Sequence, residues 1–370
     1  MIGGAVGDAL GYPVEFMSYN QIVRQYGQGG ITRYELNHNG VAEISDDTQM
    51  TLFTANGLLV AFTRYATRGC LHASPADFVH DSYIEWWQTQ TGNIKNPHYN
   101  WIRDIKELHA RRAPGITCMS ALCALAQQEE VTNNSKGCGG VMRVAPVGLL
   151  AANPTNHQHA DSTPYNIEYA KEAGKIAGLT HKHPLGYLPA AFVSLLIEQV
   201  VPYAYMTQWQ LRDCCETCIS VLREIYPTQS SDIDYIQRLV NTAWSLACGD
   251  YADVEAISQI GEGWVAEETL AIALYCVFKY PDDFEKAVIA AVNHSGDSDS
   301  TGAVTGNIMG ALLGYDAIPE YYKEALELRW LIEEIATDLA TDNPLRSRNR
   351  THDAPETREW MRKYGEVIMQ

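Results

Sequence analysis

The sequence has few basic residues for its length and no apolar run long enough to cross a membrane. Asp and Glu number 45 against 27 Lys and Arg, which gives a formal charge of −18. Nucleic-acid binding needs a basic face for the phosphates, so this balance argues against a direct nucleic-acid partner. No apolar run reaches the roughly 18 residues of a membrane span, and the N-terminus lacks the basic region and cleavage site of a signal peptide. We therefore expect a soluble protein without a membrane contact, with a composition that suits divalent cations.

Zinc-type cysteine spacing is also missing from the sequence. The nine cysteines are an odd number and lie in apolar contexts. The Cys-Cys-Glu-Thr-Cys run that starts at Cys214 has no second cluster at a zinc-like distance, and it falls within a helical pattern over 211–225. We therefore predict core cysteines rather than a functional thiol at this run. Reduced cysteines also favour a cytoplasmic location.

Strand patterns are nearly absent, whereas helical periodicity covers most of the chain. The exception is 31–45, where the Asn-Gly pair at Asn39 indicates at most a small hairpin. The periodicity predicts helices over 1–11, from 46 to about 65, and over 78–88, 187–200, 211–225, 235–248, 266–280, 284–293 and 320–339. No break in composition and no long repeat marks a domain boundary. We therefore predict one all-α domain over 1–370.

The stretch 292–314 is central to the functional interpretation. Asp297 and Asp299 stand two residues apart, so in a continuous helix their side chains would point to nearly opposite sides. Gly296 and Gly302 flank them and permit a turn that lets both carboxylates face one target. The two acids are therefore expected to lie on such a turn.

Glycine recurs at a spacing of four in two places, which are Gly3, Gly7 and Gly11, and Gly302, Gly306, Gly310 and Gly314. At helical spacing each set forms a bare stripe along one side of a helix. Each mid-helix glycine costs roughly 1 kcal/mol relative to alanine, so the stripes indicate that something approaches closely. We predict that the two striped helices form a central pair with acidic turns at their ends, and that Asp8 and Glu15 follow the first helix outward.

Acidic residues fall into three groups beside Ser or Thr, which are Glu15, Asp46 with Asp47, and Asp297 with Asp299. Asp46 with Gln49 also matches a capping box, which would explain one of the two adjacent acids but not the other. Clustered carboxylates and hydroxyls describe a site for a hard cation, Mg²⁺ or Mn²⁺, and two carboxylate pairs could hold two ions. An EF-hand is excluded because its twelfth position, counted from Asp297, is Ile308.

The run Gly-Cys-Gly-Gly-Val-Met-Arg at 137–143 has three glycines in four residues. Its backbone amides could face an anionic ligand, although an ordinary tight turn fits as well. No Lys-Ser/Thr follows and no strand precedes, which excludes the two common nucleotide-binding loops. His181 and His183 could bind a metal or a phosphate, or lie on the surface, and the polar segment 89–115 could border a site or be a solvated connection. These residues alone indicate a metal-dependent hydrolase with a glycine-rich loop for an anionic ligand.

Six motifs together match a known family in order and span almost the whole chain. They are Gly-Asp-Ala-Leu-Gly with Glu15 at 7–15, Ser-Asp-Asp-Thr at 45–48, the glycine-rich run at 137–143, Thr-His-Lys-His-Pro at 180–184, Gly-Trp-Val-Ala-Glu-Glu at 263–268, and Gly-Asp-Ser-Asp-Ser-Thr-Gly at 296–302. In these motifs the chain resembles the ADP-ribosylglycohydrolases. Ser300 departs from the Thr that many members carry, and the Arg-rich segment 341–353 matches nothing assigned.

The resemblance implies a compact helical fold with two Mg²⁺ ions, for which Mn²⁺ is a possible substitute. The implied metal-holding residues are Ser45, Asp46, Asp47, Asp297, Asp299 and Ser300, and the implied catalytic residues are Asp47, Asp46 and Glu15. The implied substrate-binding residues are Gly137, Gly139, Gly140, Val141, Met142, His181 or His183, and Trp264. The first five would hold the diphosphate and distal ribose, while the ions grip the proximal ribose. Asp47 is the leading carboxylate to assist cleavage at ribose C1.

The implied reaction is removal of ADP-ribose from modified protein side chains, with arginine as the first choice. The implied partners are an ADP-ribosylated protein and ADP-ribose, and an ADP-ribosyltransferase is a further candidate. Three alternatives remain open at this point. They are another linkage such as serine, O-acetyl-ADP-ribose or a nucleobase, a scaffold without catalysis, and inhibition of a transferase through the segment 89–115.

Overall fold

The computed structural model describes residues 1–69, 73–95, 98, 100–154, 167–341, 343–346 and 354–365. Within these residues the fold has 17 α-helices and no strand, which confirms the predicted all-α class. The Arg-rich segment 341–353 lies largely outside the described residues. Among the described helices, none combines the length and apolar character that a membrane crossing requires.

The α-helices are α1 (Ile2–Gly11), α2 (Tyr19–Tyr26), α3 (Asp46–Arg68), α4 (Pro75–Thr91), α5 (Ile116–Ala126), α6 (Ala145–Ala151), α7 (Ile167–Gly178), α8 (Pro184–Val200), α9 (Gln208–Ile225), α10 (Ser230–Ala247), α11 (Asp253–Ile260), α12 (Ala266–Lys279), α13 (Phe284–Val292), α14 (Ser298–Leu313), α15 (Glu320–Glu324), α16 (Arg329–Ala340) and α17 (Pro355–Tyr364). Short 3-10 helices cover Tyr12–Val14, Trp101–Asp104, Lys106–His109, Cys138–Gly140, Pro227–Gln229, Tyr315–Ala317 and Pro344–Arg346.

Helices α1 and α14 pack with their backbones in contact. A Cβ placed on Gly7 would lie 2.0 Å from the carbonyl oxygen of Gly302, and one on Gly306 would lie 2.0 Å from the carbonyl oxygen of Gly3. Real Cβ atoms are not found at such distances, so only glycine fits at these crossing points. The predicted central pair is confirmed, and its close packing fixes the end of α1 against the beginning of α14.

Apolar helices surround this pair and form the core. Helix α12 is buried on nearly all sides, from Ala266 to Phe278, and it packs against α14 and α8. In α9, Cys215 and Cys218 are buried, and the side-chain amide of Gln199 donates to the sulfur of Cys218 at 3.1 Å. The prediction of core cysteines in α9 is therefore confirmed.

The segment 31–45 contains a turn but no hairpin. The amide of Gly40 donates to the carbonyl of Asn37 at 2.9 Å, which closes the turn. The amide of Asn37 also donates to the carbonyl of Val41 across the turn at 2.9 Å, but from Ala42 onward the chain pairs elsewhere, with the backbone of Ala325 and Glu327 at 2.8 and 3.0 Å. The Asn-Gly signal correctly marked the turn, but the partner strand does not exist.

Two sequence predictions about helices are corrected by the structure. The single helix predicted over 320–339 is divided into α15 and α16, because Leu328 takes a left-handed conformation with φ of 55°. Glu15 does not continue the first helix, since α1 ends at Gly11 and a 3-10 turn over Tyr12–Val14 redirects the chain. That turn brings Glu15 back toward the beginning of α14.

Candidate metal centre

Two of the three predicted acidic groups lie at helix N-termini, at the beginnings of α3 and α14. Ser45 is the N-cap of α3, and its Oγ accepts a hydrogen bond from the amide of Asp47 at 3.2 Å, so both adjacent acids lie in the first turn. Asp297 is the N-cap of α14 and accepts from the amide of Ser300 at 3.4 Å. The positive end of each helix dipole favours these negative charges. The capping box proposed for Asp46 is wrong, because the N-cap residue of α3 is Ser45 and Asp46 is the first residue of the helix.

Asp8 holds the beginning of α3 in place, and sequence reasoning gave it no such role. Its carboxylate oxygens accept from the amide of Ser45 at 3.0 and 3.1 Å and from the amide of Thr48 at 3.1 Å. Asp8 is fully buried, so these bonds tie α1 to the acidic turn of α3. The signal was present in the sequence, since Asp8 is the one charged residue in the apolar stretch of α1.

The acidic side chains lie close enough together to share a hydrogen bond or a bound cation. One oxygen each of Glu15, Asp297 and Asp299 lie within 4.8 Å of one another. The hydroxyl of Ser300 donates to Asp47 at 2.9 Å, which joins the α14 acids to the α3 acids. All of these side chains are buried. The structure therefore gathers the candidate ligands from Glu15, after the 3-10 turn that follows α1, and from the beginnings of α3 and α14 into one cluster.

Burial and mutual repulsion make this cluster unfavourable as free carboxylates. Burial, followed by the charge of Asp299, raises the pKa of Glu15 to about 10. The same two causes in the same order raise the pKa values of Asp46, Asp47 and Asp297 well above the ordinary range of Asp. A buried carboxylate needs a proton or a cation to compensate its charge.

The donor set fits a hard divalent cation. Oxygen ligands from carboxylates and a hydroxyl are the ligands that Mg²⁺, Mn²⁺ and Ca²⁺ prefer. The Oε2 atom of Glu15 is buried and has no hydrogen-bond partner among the described residues, so a ligand position is open at that atom. Ser45 differs from the other predicted ligands, because its hydroxyl caps α3 and its side chain does not line the cavity.

The cluster lines a cavity of about 470 Å³. The acids and hydroxyl on its wall are Glu15, Asp46, Asp47, Asp297, Asp299 and Ser300, and the other lining residues are Phe16, 113–118, Gly137, Cys138, Gly139, Met142, His181 and Trp264. This volume lies within the range of small-molecule sites, which is roughly 300–1,000 Å³. The last part of the predicted border segment 89–115 therefore lies on the cavity wall.

The glycine-rich loop divides into lining and packing residues. Gly137, Gly139 and Met142 line the cavity, whereas Gly140 and Val141 do not. A Cβ on Gly140 would lie 2.7 Å from the carbonyl oxygen of Gly186, and the Val141 side chain is buried in the core. Close packing against α8 thus accounts for glycine at position 140, and ligand contact by Gly140 and Val141 stays a prediction.

Trp264 connects the glycine-rich loop to the mouth of the cavity. Its carbonyl accepts from the amide of Cys138 at 3.2 Å, and its ring stacks on Phe16 with centroids 5.8 Å apart. Sequence reasoning missed Phe16, which is 74% exposed at the mouth. It also missed Cys138 as a contact of the cluster, although the Cys138 sulfur donates to Asp297 at 2.7 Å.

The two histidines of the 180–184 motif have different environments. His181 is buried on the cavity wall. His183 is the N-cap of α8, where its Nδ1 accepts from the amide of Leu185 at 3.0 Å, and it does not line the cavity. Of the two alternatives, His181 lies on the cavity wall, whereas His183 caps α8.

Replacing His183 by Ala is expected to lower the free energy of unfolding by about 1 kcal/mol, because the variant loses an N-cap acceptor. Urea unfolding followed by circular dichroism measures this loss. His183→Asn is the matched control, since Asn also caps helices well and should restore most of the stability. A loss of the same size in both variants would contradict the capping role.

The family assignment follows from comparison with known sequences. A sequence model of the ADP-ribosylglycohydrolase family matches residues 1–349. The chain belongs to the ADP-ribosylglycohydrolase family. Its members are glycohydrolases of ADP-ribose linkages, and the match includes Glu15, α3 and α14, which carry the acidic cluster.

Individual relatives are distant but cover most of this ADP-ribosylglycohydrolase. The ADP-ribosyl-[dinitrogen reductase] glycohydrolase of Rhodospirillum rubrum is 24% identical over 334 residues, 89% of each chain. The ADP-ribosylarginine hydrolase Tri1 of Serratia proteamaculans is 22% identical over 343 residues, 92% of this chain and 77% of the relative. A solved ADP-ribosylglycohydrolase-related protein complex has a TM-score of 0.55 at 23% identity and covers 91% of this chain and 94% of that one, which supports the all-α fold.

Proposed function

We propose that this family member is a divalent-cation-dependent hydrolase that removes ADP-ribose from modified arginine side chains. The observation that carries the proposal is the buried set of carboxylates around the unpartnered Glu15 oxygen on the wall of a ligand-sized cavity. The preference for arginine is supported by Tri1, a relative named as an ADP-ribosylarginine hydrolase. Its substrate would be an arginine-modified protein, the product of an ADP-ribosyltransferase.

The acidic cluster would hold two Mg²⁺ ions, with Mn²⁺ as a substitute. Glu15, Asp297 and Asp299 form the group with the closest oxygens, and Asp46, Asp47 and Ser300 complete the set on the cavity wall. Bound there, such ions would supply Lewis acids for the ribose hydroxyls. In this proposal Ser45 acts indirectly, by holding the first turn of α3 through its N-cap bond.

Hydrolysis breaks the bond between ribose C1 and a guanidine nitrogen, adds the oxygen of water to C1 and returns a proton to the departing guanidine. Asp47 is our candidate for the group that takes the proton from water. It lies in the cavity wall at the first turn of α3, and Ser300 donates to it at 2.9 Å, which fixes its orientation. Gly137 and Gly139, with His181, line the part of the wall assigned to the diphosphate.

The proposal is tested by measuring release of ADP-ribose from an ADP-ribosylarginine protein, with Mg²⁺ and with EDTA. Magnesium-dependent release is expected, and Asp297→Asn should reduce it by a factor on the order of 10²–10³, since one ligand charge is lost. Asn keeps the N-cap acceptor of α14, so the variant should remain folded.

Parallel reactions with ADP-ribosylserine and O-acetyl-ADP-ribose decide the linkage. Release from either of these, without release from arginine, would refute the arginine assignment and keep the hydrolase. No release from any of the three by a folded, cation-bound protein would refute catalysis and favour a scaffold.

A further inference from the structure

One ring nitrogen of His181 lies against the glycine-rich loop, whose Gly137 and Gly139 line the cavity together with His181. A Cβ placed on Gly137 would lie 3.3 Å from His181 Nε2, and one on Gly139 would lie 3.4 Å from the same atom. In the part of the chain that the structure describes, no atom accepts a hydrogen bond from Nε2. The chemical character of this nitrogen therefore decides what kind of ligand atom the wall accepts.

The other ring nitrogen is connected to a fully buried arginine. Arg143 donates through a terminal nitrogen to the hydroxyl of Thr180 at 2.7 Å, and that hydroxyl lies 2.8 Å from His181 Nδ1. Arg143 forms no ion pair with a carboxylate among the described residues. Its remaining contacts are the sulfurs of Met50 and Cys118 at 3.3 and 3.4 Å, the carbonyl of Ile176 at 3.4 Å and the ring of Tyr83.

Proton counting and the available acceptors favour one direction for the Thr180–His181 bond. A guanidinium only donates and a hydroxyl carries a single proton, so Thr180 accepts from Arg143 and has one proton to give. The carbonyl of Ala177 is 3.5 Å away, at the limit of a hydrogen bond. The sulfur of Cys118 also lies beside the hydroxyl, but burial raises its pKa, and a protonated thiol is a weak acceptor. Nδ1 at 2.8 Å is therefore the best acceptor.

A positively charged ring is disfavoured at this position. Burial, followed by the charge of Arg143, lowers the pKa of His181 to about 3. The imidazole is therefore neutral at physiological pH, with one proton on one of its two nitrogens. If Nδ1 accepts from Thr180, that proton lies on Nε2, which lies against the glycine-rich loop.

We propose that Arg143 and Thr180 are positioning residues that fix His181 as the Nε2–H tautomer, a permanent hydrogen-bond donor for an oxygen of the bound phosphate. The ligand part of this proposal rests on the proposed function, whereas the tautomer part does not. The opposite tautomer would direct a lone pair at the phosphate oxygens and repel them. The relay of hydrogen bonds from Arg143 through Thr180 to His181 thus favours an anionic acceptor at this wall, although the His181 ring itself is neutral.

Nitrogen NMR on the wild-type protein tests the tautomer directly. With ¹⁵N-labelled histidine, and the His181→Gln variant to assign the signal, we expect a pyridine-type shift for Nδ1 and a pyrrole-type shift for Nε2 at neutral pH. Two pyrrole-type nitrogens, or the reversed pair of shifts, would overturn the proposal.

Calorimetric binding of ADP-ribose in Mg²⁺ tests the effect on the ligand. Thr180→Val has the shape of threonine but cannot donate, so its affinity should fall about tenfold, the equivalent of one hydrogen bond. Thr180→Ser keeps the hydroxyl and should stay within about twofold of wild type.

A double variant separates the relay from a general structural effect. Because Thr180 acts through His181, adding Thr180→Val to His181→Gln should cause no further loss of affinity. Additive losses in the double variant, or equal losses in the Val and Ser variants, would refute the relay. If wild type binds no ADP-ribose, the proposed function fails, while the NMR shifts still decide the tautomer.

Discussion

Gly7→Ala is expected to lower the free energy of unfolding by about 3 kcal/mol or more, because overpacking against rigid atoms is strongly destabilising. The new Cβ would lie 2.0 Å from the carbonyl oxygen of Gly302 and 2.3 Å from its carbonyl carbon. Both are backbone atoms of α14, so no side chain can turn aside to make room. In an exposed helix interior, alanine is more favourable than glycine by roughly 1 kcal/mol. Helix propensity alone therefore predicts that Gly7→Ala raises the free energy of unfolding.

Urea unfolding in EDTA measures the loss without a contribution from bound cation. Gly178→Ala is the matched control, since Gly178 is also helical, in α7, and a Cβ there would meet nothing within 4 Å. That variant should equal wild type or gain up to about 1 kcal/mol. A Gly7→Ala protein as stable as Gly178→Ala would disprove the contact between α1 and α14.

The site should be affected together with the fold. Asp8 follows Gly7 directly and holds the first turn of α3, while α14 begins at the acidic turn. Moving α1 away from α14 therefore separates the parts of the acidic cluster. Gly7→Ala is expected to lose the stabilisation by Mg²⁺ as well, whereas Gly178→Ala should keep it.

The sequence was sufficient to predict this central packing, and the reason is physical. Glycine at a spacing of four is costly in a helix unless another backbone needs the space, so the pattern itself indicates a close partner. Similar reasoning predicted that the acidic residues form a cation site, because adjacent buried carboxylates are unfavourable without a cation. These predictions depend on local patterns with few alternative explanations.

Other features depend on contacts that a single sequence does not encode locally. The division between α15 and α16 arises where Glu327 pairs with Arg112, a residue distant in sequence. Gly140 resembled a ligand-binding glycine, but its neighbour is the backbone at Gly186. His181 and His183 are chemically identical in the sequence, and only the fold makes one a cap and the other part of the cavity wall.

Asp299→Asn is expected to have opposite effects on stability with and without cation. Burial is the largest cause of the raised pKa values of Glu15, Asp46, Asp47 and Asp297, and the negative charge of Asp299 is the second largest. Removing its charge should therefore stabilise the cation-free protein by on the order of 1 kcal/mol. In Mg²⁺ the variant should be less stable than wild type, because a ligand is missing.

The pH dependence of the cation-free wild type has a definite sign. Carboxyls with raised folded-state pKa values keep protons that the unfolded chain releases near its ordinary pKa, so folding becomes less favourable as the pH rises. The decline extends toward the pKa of Glu15, about 10. Urea unfolding in EDTA should thus show lower stability at pH 9 than at pH 6, with a shallower decline in Asp299→Asn.

Asp283→Asn is the matched control for this prediction. Asp283 is an acid at the N-terminus of α13, where its side chain accepts from the amide of Lys286 at 3.0 Å and pairs with its ammonium. Its replacement should lower stability slightly in both conditions and leave the Mg²⁺ effect unchanged. A cation-free Asp299→Asn protein that is less stable than wild type at pH 9 would contradict a repulsive cluster.

If the acidic cluster holds magnesium as proposed, the cation should reverse this repulsion in the wild type, because it takes the place of the protons. Binding at a concentration a hundred times the dissociation constant adds about 2.7 kcal/mol to the free energy of unfolding, and this gain should be largest at high pH, where no protons compete. Asp299→Asn should lose most of the gain, and hydrolase activity should fall by a factor on the order of 10³. We expect the Asp299→Asn variant to be more stable than wild type without magnesium and nearly inactive with it. This result would show that the charge of Asp299 opposes folding of the cation-free protein and is needed to hold the cation.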